Sequence, residues 1–283
     1  MDAWPVSLST GCFYQLNILS CLKTIKDGGF DSIEVCSTLS YLDYHNSAAV
    51  RRVHLCIREL GMKACSFHAP FADQIDISSP SDPVRENALA EICRAAEAAA
   101  RLEATYFVIH PGPERESSED RQLHTDRLKH TTQGLFKIAA YCRRLGVCCV
   151  LENKLPHLVF AKIDDLVFIL DATAASNIGI CLDTGHAHVA RALERMVDLL
   201  APFLCLLHAH DNRAHADEHL PPGEGGIDWM RLACGLKAAH FNGLVILELS
   251  SSGNNWETME RAKRGKEFLR DTFRRAGLLP ISS

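Results

Sequence analysis

The sequence predicts an α/β fold, a single-domain (β/α)8 TIM barrel over residues 1–283, and three observations predict it. Short apolar runs alternate with helical segments along the whole chain. The runs are near-continuously apolar instead of alternating, and polar residues end every run from the third to the eighth. Alternation of this kind implies parallel strands joined by right-handed crossovers. Continuous apolarity implies strands covered on both faces. Polar ends on six successive strands imply one shared mouth, whereas the rival open doubly wound sheet gathers functional groups at a switch point. A length of 283 residues with 47% hydrophobic residues suits one such barrel, and no low-complexity linker marks a second domain.

Taken in order, the predicted strands are 6–10, 32–36, 63–68, 105–110, 147–152, 178–183, 204–210 and 244–249. The clearest helix is 83–102, with Asp82 as its expected N-cap, Pro83 in first position, and Val84, Leu89, Ile92, Ala96 and Ala99 on one side. Arg58-Glu59-Leu60-Gly61 and Arg143-Arg144-Leu145-Gly146 each read as a helix end with a basic residue and a glycine suited to the left-handed cap. Asp228 is expected to start a helix after the glycine-rich stretch Gly223-Glu224-Gly225-Gly226. That stretch reads either as a turn or as a phosphate-binding loop.

Composition narrows the function. A net charge of −5 argues against a protein that works mainly on nucleic acid or an anionic membrane. No apolar stretch reaches the roughly 18–20 residues of a membrane span. Met1-Asp2-Ala3-Trp4-Pro5 lacks the basic and apolar regions of a secretory leader, so a cytoplasmic location is expected. The twelve cysteines form no Cys-x-x-Cys pair, and Cys36, Cys65, Cys148, Cys149, Cys181 and Cys205 sit in apolar runs, where thiols behave as small core hydrophobes.

The chemistry gathers at the strand ends: Ser66-Phe67-His68, Val108-Ile109-His110, Leu151-Glu152-Asn153, Leu182-Asp183-Thr184-Gly185-His186, Leu207-His208-Ala209-His210 and Leu247-Glu248. Carboxylates ending apolar strands need neutralisation, and no lysine or arginine stands at the ends themselves. A divalent cation is therefore expected on Glu152, Asp183, His208 and Glu248, and mixed carboxylate and imidazole donors suit Mn²⁺, Co²⁺, Zn²⁺ or Mg²⁺. For His188, His210 and His215 an ordinary hydrogen-bonded role stands level with ligation.

The ordered set His68-Ala69-Pro70-Phe71, Ile109-His110-Pro111-Gly112, Leu151-Glu152-Asn153, Leu182-Asp183-Thr184-Gly185-His186, His208-Ala209-His210-Asp211-Asn212, Asp217-Glu218-His219-Leu220-Pro221-Pro222-Gly223-Glu224-Gly225 and Leu247-Glu248-Leu249 resembles the xylose isomerase-like TIM-barrel superfamily. This superfamily includes sugar and sugar-phosphate isomerases and epimerases as well as the apurinic/apyrimidinic endonuclease family 2, and the similarity covers essentially the whole chain. In the isomerase branch the resemblance implies one metal on Glu152, Asp183, His208 and Glu248, with His186 on the substrate. In the endonuclease branch it implies up to three zinc ions, adding His68, His110, His186, Asp217 and His219.

The first expected function is accordingly a metal-dependent isomerase or epimerase. Glu152 and Glu248 exchange a carbon-bound proton through a metal-stabilised enediolate, and His186 polarises a substrate oxygen. His68, His110, His210 and Arg213 are expected on the substrate, a small polyhydroxylated molecule or sugar phosphate. Phe13, Tyr14, Tyr41 and Tyr44 either cover a sugar ring or simply pack under a loop. The alternative is a multi-zinc phosphoesterase, which 75–80 also suggests by its likeness to the endonuclease loop. Against duplex DNA, Asp73, Asp76 and Asp82 precede any basic residue in the loop after the third strand, and Arg213 stands alone among Asp211, Asp217, Glu218 and Glu224. A dehydratase or a non-catalytic metal-binding barrel are lesser rivals, and relatives of this kind commonly form homo-oligomers.

Overall fold

The computed structural model describes residues 4–174 and 178–280; residues 1–3, the start of the stretch read for a leader, lie outside them. Eight parallel strands close a barrel in chain order: β1 (Val6–Ser9), β2 (Ser32–Cys36), β3 (Lys63–His68), β4 (Tyr106–Ile109), β5 (Cys148–Glu152), β6 (Ile178–Asp183), β7 (Leu204–Ala209) and β8 (Leu244–Leu247). Closure is made by β1 on β8, with Val6 opposite Val245 and Leu8 opposite Leu247. Several strands end a residue or two before expected, because His110, His210 and Glu248 leave the ladder to serve the mouth.

Helices α1 (Ile18–Asp27), α2 (Ser47–Glu59), α3 (Asp82–Arg101), α4 (Arg121–Arg144), α5 (Ile163–Ala172), α6 (Thr184–Val189), α7 (Leu193–Leu200), α8 (Trp229–Ala238) and α9 (Asn255–Ala276) surround the barrel. Gly61 and Gly146 adopt the left-handed conformation expected of them, at φ 61° and 78°. On α3 two expectations are corrected: Ser81 occupies the cap position and Asp82 is already helical, and Val84 in the first turn stays exposed while Ile92, Ala96 and Ala99 are buried. Asp228 does cap α8, accepting from the Arg231 amide. Among the described residues no helix is long and apolar enough to cross a membrane.

Inside the barrel Cys65, Val108, Val150, Cys181, Leu206 and Ile246 form a separate apolar layer. Strand side chains alternate faces, so the residue two places on also points inward. That rule carries His110, Glu152, Asp183, His208 and Glu248 onto the floor above this layer. His68 lies three residues past Cys65 and would break the alternation, but the pairing of β2 with β3 jumps from Ile33↔Ala64 to Glu34↔Ser66. Cys65 is thus the extra residue of a bulge. Cys205 plays the same part on β7, where the pairing jumps from Ile180↔Leu204 to Cys181↔Leu206. A one-residue slip exchanges the faces of a strand, so these bulges aim His68 and His208 into the barrel.

Candidate metal centre

Glu152, Asp183, His208 and Glu248 each present a ligand atom within 4.8 Å of the others. Two further groups meet the same criterion: His68, Glu152 and His208, and His186, His210, Asp217 and His219. The strand-end residues singled out above therefore meet at one mouth. His68, His110, Glu152, His186, Asp217 and Glu248 line a cavity of about 170 Å³ there.

The hydrogen bonds show why these side chains suit a cation. Nδ1–H of His68 donates to the Ala69 carbonyl (2.9 Å), that of His186 to the Asn153 carbonyl (2.9 Å), and that of His219 to the Glu248 carbonyl (2.9 Å). His110 donates from Nδ1 to Glu114 (2.7 Å). Each ring then turns Nε2 inward: His68 and His110 toward Glu152 (3.0 and 3.2 Å), His219 and His186 toward Asp217 (3.0 and 3.3 Å). His208 is inverted. Its Nε2–H donates to Glu34 (3.1 Å), so Nδ1 faces Glu152 and Glu248, each at 3.2 Å. Outer partners of this kind fix the tautomer and orientation of metal-binding histidines. His208 Nδ1 and Asp217 Oδ1 are buried without a hydrogen-bond partner, as donors aimed at an ion would be. The residues fit a divalent metal.

Electrostatics agree. Burial alone would raise the Glu152 carboxyl, but His208 and His110 overcome it and hold it well below the usual range. Burial likewise opposes charge on the imidazoles, yet Glu152 beside His68 brings it to about 9. Asp183, Asp217 and Glu152 bring His186 to about 10, and Asp217 brings His219 to about 9.

Three groups at this site were not anticipated from sequence. Glu34 on β2 is fully buried and accepts from Ser66 Oγ (2.7 Å) as well as from His208. A charged residue in the middle of an otherwise apolar strand was the available signal. Lys154, two residues past Glu152, corrects the expectation that no cation serves the strand ends: its buried ammonium binds Glu114 (2.9 Å) and the carbonyls of Gly112 and Pro113. Glu114, between Lys154 and His110, is held down to about 2 by them against its burial.

Two expected substrate contacts are not brought to the cavity. Arg213 turns outward to pair with Glu218. His210 is fully buried beside the cavity without lining it, its Nε2 donating to both oxygens of Asp183 (3.0 and 2.9 Å). Gly185 permits this packing, since a Cβ there would come within 2.0 Å of the His210 ring. His188 binds Asn212, and His215 is exposed. The glycine-rich stretch is the turn reading: Gly223 and Ile227 amides bind the Asp211 carboxylate (3.0 and 3.1 Å), which takes the place a phosphate would need. Phe13, Tyr41 and Tyr44 are buried core residues, while Tyr14 is half-exposed; Tyr14 and Tyr44 line a cavity beside the mouth. Asp73 and Asp76 are answered by Arg115 and Arg127 (2.5 and 3.0 Å), cations from later in the chain.

Fold and cluster together define an α/β barrel whose C-terminal mouth carries a carboxylate–imidazole site able to take a divalent metal. The chain belongs to the xylose isomerase-like TIM-barrel family, whose model matches residues 22–272. It is 27% identical over 281 residues to an uncharacterised protein of Methanocaldococcus jannaschii, covering 95% of this chain and 90% of that one. Similarity extends to a D-psicose 3-epimerase of Ruminiclostridium cellulolyticum (21% identity, 78% of this chain and 74% of the relative). It also reaches a probable endonuclease 4 of Mycoplasmoides gallisepticum (24%, 58% and 57%). Among solved structures, a D-tagatose 3-epimerase-like protein superposes with a TM-score of 0.79 at 24% identity, covering 94% of this chain and 98% of that one.

Proposed function

We propose that this protein is a divalent-metal-dependent isomerase or epimerase of a small, unphosphorylated polyhydroxylated substrate, working by proton transfer beside a carbonyl. The observation that carries the reading is the meeting of Glu152 and Glu248, from β5 and the end of β8, with Asp183 and His208 at the floor of a small cavity. These four residues would hold the metal. A divalent ion bound there supplies polarisation of a carbonyl and its neighbouring hydroxyl and offsets the negative charge that develops on them. Glu152 and Glu248 exchange the carbon-bound proton as base and acid. His68 and His110 keep Glu152 Oε2 in place, leaving Oε1 toward His208. His186, oriented by Asn153, presents Nε2 to a substrate oxygen. Phe71, Leu155 and Leu158 line the same cavity and exclude water. Lys154 is already committed to Glu114 and two carbonyls, so a phosphate finds no free lysine or arginine among the residues lining the cavity. The relatives named as sugar epimerases support the substrate class.

The test is incubation of the Mn²⁺-loaded protein with D-psicose and D-fructose in D₂O. Deuterium should enter the carbon next to the carbonyl, and Glu152→Gln should slow this by about 10²–10⁴-fold. Absence of exchange with any ketose or aldose tried would sink the proposal. A second reading, a multi-zinc phosphoesterase, is favoured by the extra groups around Asp217 and His68. Two or three tightly held zinc ions, lost singly in His68→Ala or His110→Ala, together with nicking of abasic duplex DNA, would establish it instead. One metal per chain, retained in both variants, supports the isomerase.

A further inference from the structure

Beside the metal cavity lies a second and larger one, about 500 Å³, between the loops after β1, β2 and β3 and the start of α3. His68 and Phe71 line both, so the two are joined across a single aromatic wall. Phe71 stands on His110 (ring centroids 4.7 Å apart, 29° between planes) and leaves half of its surface open. Tyr14 and Leu39, with similar exposure, complete three large exposed hydrophobic side chains on this one cavity. Among the described residues, no lysine or arginine lines it. Its one carboxylate, Glu91, is occupied by the Tyr44 hydroxyl (2.5 Å), His45 (2.6 Å) and Arg94 (2.9 Å).

The inner cavity falls below the roughly 300–1,000 Å³ usual for ligand pockets, whereas the outer one lies within that range. Soluble proteins seldom leave several large apolar side chains grouped in a concave surface without a ligand. Aromatic faces favour a flat ring, and the absence of free charge disfavours a phosphate or carboxylate. We infer that the outer cavity binds a neutral, ring-shaped apolar group carried by the substrate, so that a sugar with a free carbonyl and a ring substituent is preferred over the bare monosaccharide. This rests on the isomerase reading for its reacting end, but the outer site is defined by its own lining.

The experiment compares phenyl β-D-glucopyranoside with methyl β-D-glucopyranoside by calorimetric titration of the full, Mn²⁺-loaded chain. Burying the ring should make the phenyl compound bind about tenfold more tightly. Asn87→Trp, which fills the cavity from its exposed rim, and Leu39→Asn should each reduce that preference to less than about threefold, while Glu152→Gln should keep it. Saturation transfer in wild type should fall most strongly on the phenyl protons. Equal affinity for the two glucosides overturns the inference, as does a preference that survives both rim variants. A dimer dissociated by Leu39→Asn would show that a second copy covers this face, and would overturn it too. Phenyl preference without proton exchange on any sugar would remove the catalytic reading and leave this site; exchange without the preference would do the reverse.

Discussion

Glu34→Gln is the substitution that most directly probes how the site is held. Glu34 and His208 are both fully buried, and the Nε2–H of His208 reaches the Glu34 carboxylate at 3.1 Å. That bond leaves Nδ1 free to face Glu152, Glu248 and the proposed ion. A hydrogen bond to a charged group contributes about 1.5–3 kcal/mol, equivalent to roughly 10–150-fold in an equilibrium constant. Glutamine keeps the size and can still accept from Nε2, but it loses the negative charge that makes the imidazole a strong donor to a cation. Its amide hydrogens also have Ser66 Oγ as their nearest partner, which already points at this position (2.7 Å). Metal affinity should therefore fall about 10–100-fold, the range typical for removing an outer partner of a metal-binding histidine. Competition against a fluorescent chelator, with circular dichroism to verify the fold, measures it. Affinity within about threefold of wild type in a folded variant would refute the idea that His208 is oriented from below.

Metal binding should also stabilise the fold: at a hundredfold excess over Kd the gain is about 2.7 kcal/mol, which for a chain of this length raises Tm by roughly 4–5 °C over protein treated with chelator. Scanning calorimetry reads this directly, and an unchanged Tm would count against a resident ion. Among the four proposed ligands, the His208 imidazole is raised, against its own burial, well above its usual range by Cys181 and then Glu34, Glu152 and Glu248, and ligation requires the neutral ring. Metal affinity should thus rise as pH climbs above neutral, with protons released on binding, detectable by titration in buffers of different ionisation enthalpy.

The repeating architecture was legible because it is written in local chemistry: apolar runs, glycine caps at Gly61 and Gly146, and polar residues two places past each inward apolar side chain. The ligand-bearing ends of β4, β5, β6 and β8 follow that simple alternation. On β3 and β7 the alternation is reset by one residue, at Cys65 and Cys205, before it reaches His68 and His208, and nothing in the composition of either cysteine announces a bulge, since the extra residue depends on pairing with the neighbouring strand. The same limit explains Arg213 and His210. Proximity in sequence to His208 placed them at the mouth, but whether Arg213 meets Glu218 or His210 turns behind Asp183 is decided by the path of the loop, including left-handed backbone at Ala214 and His219. Glu34 was visible as a carboxylate in an apolar strand; its partner, 174 residues away, was not.

The buried charges also bear on which chemistry this mouth can perform. Glu34, Glu152, Asp183, Asp217 and Glu248 face it or support it, and the nearest lysine, Lys154, is spent on Glu114. Arg115 is drawn to Asp73 and Asp76, Arg127 to Asp76, and Arg213 to Glu218. These arginines near the mouth are therefore already paired with carboxylates of its loops, whereas nucleic-acid binding depends on unpaired positive charge. A neutral polyhydroxylated ligand meets no such obstacle. It can take hydrogen bonds from the inward imidazole nitrogens and leave the carboxylates to the ion and the proton. The groups around Asp217 could donate to a further ion, but they do not supply the surface that a duplex would require.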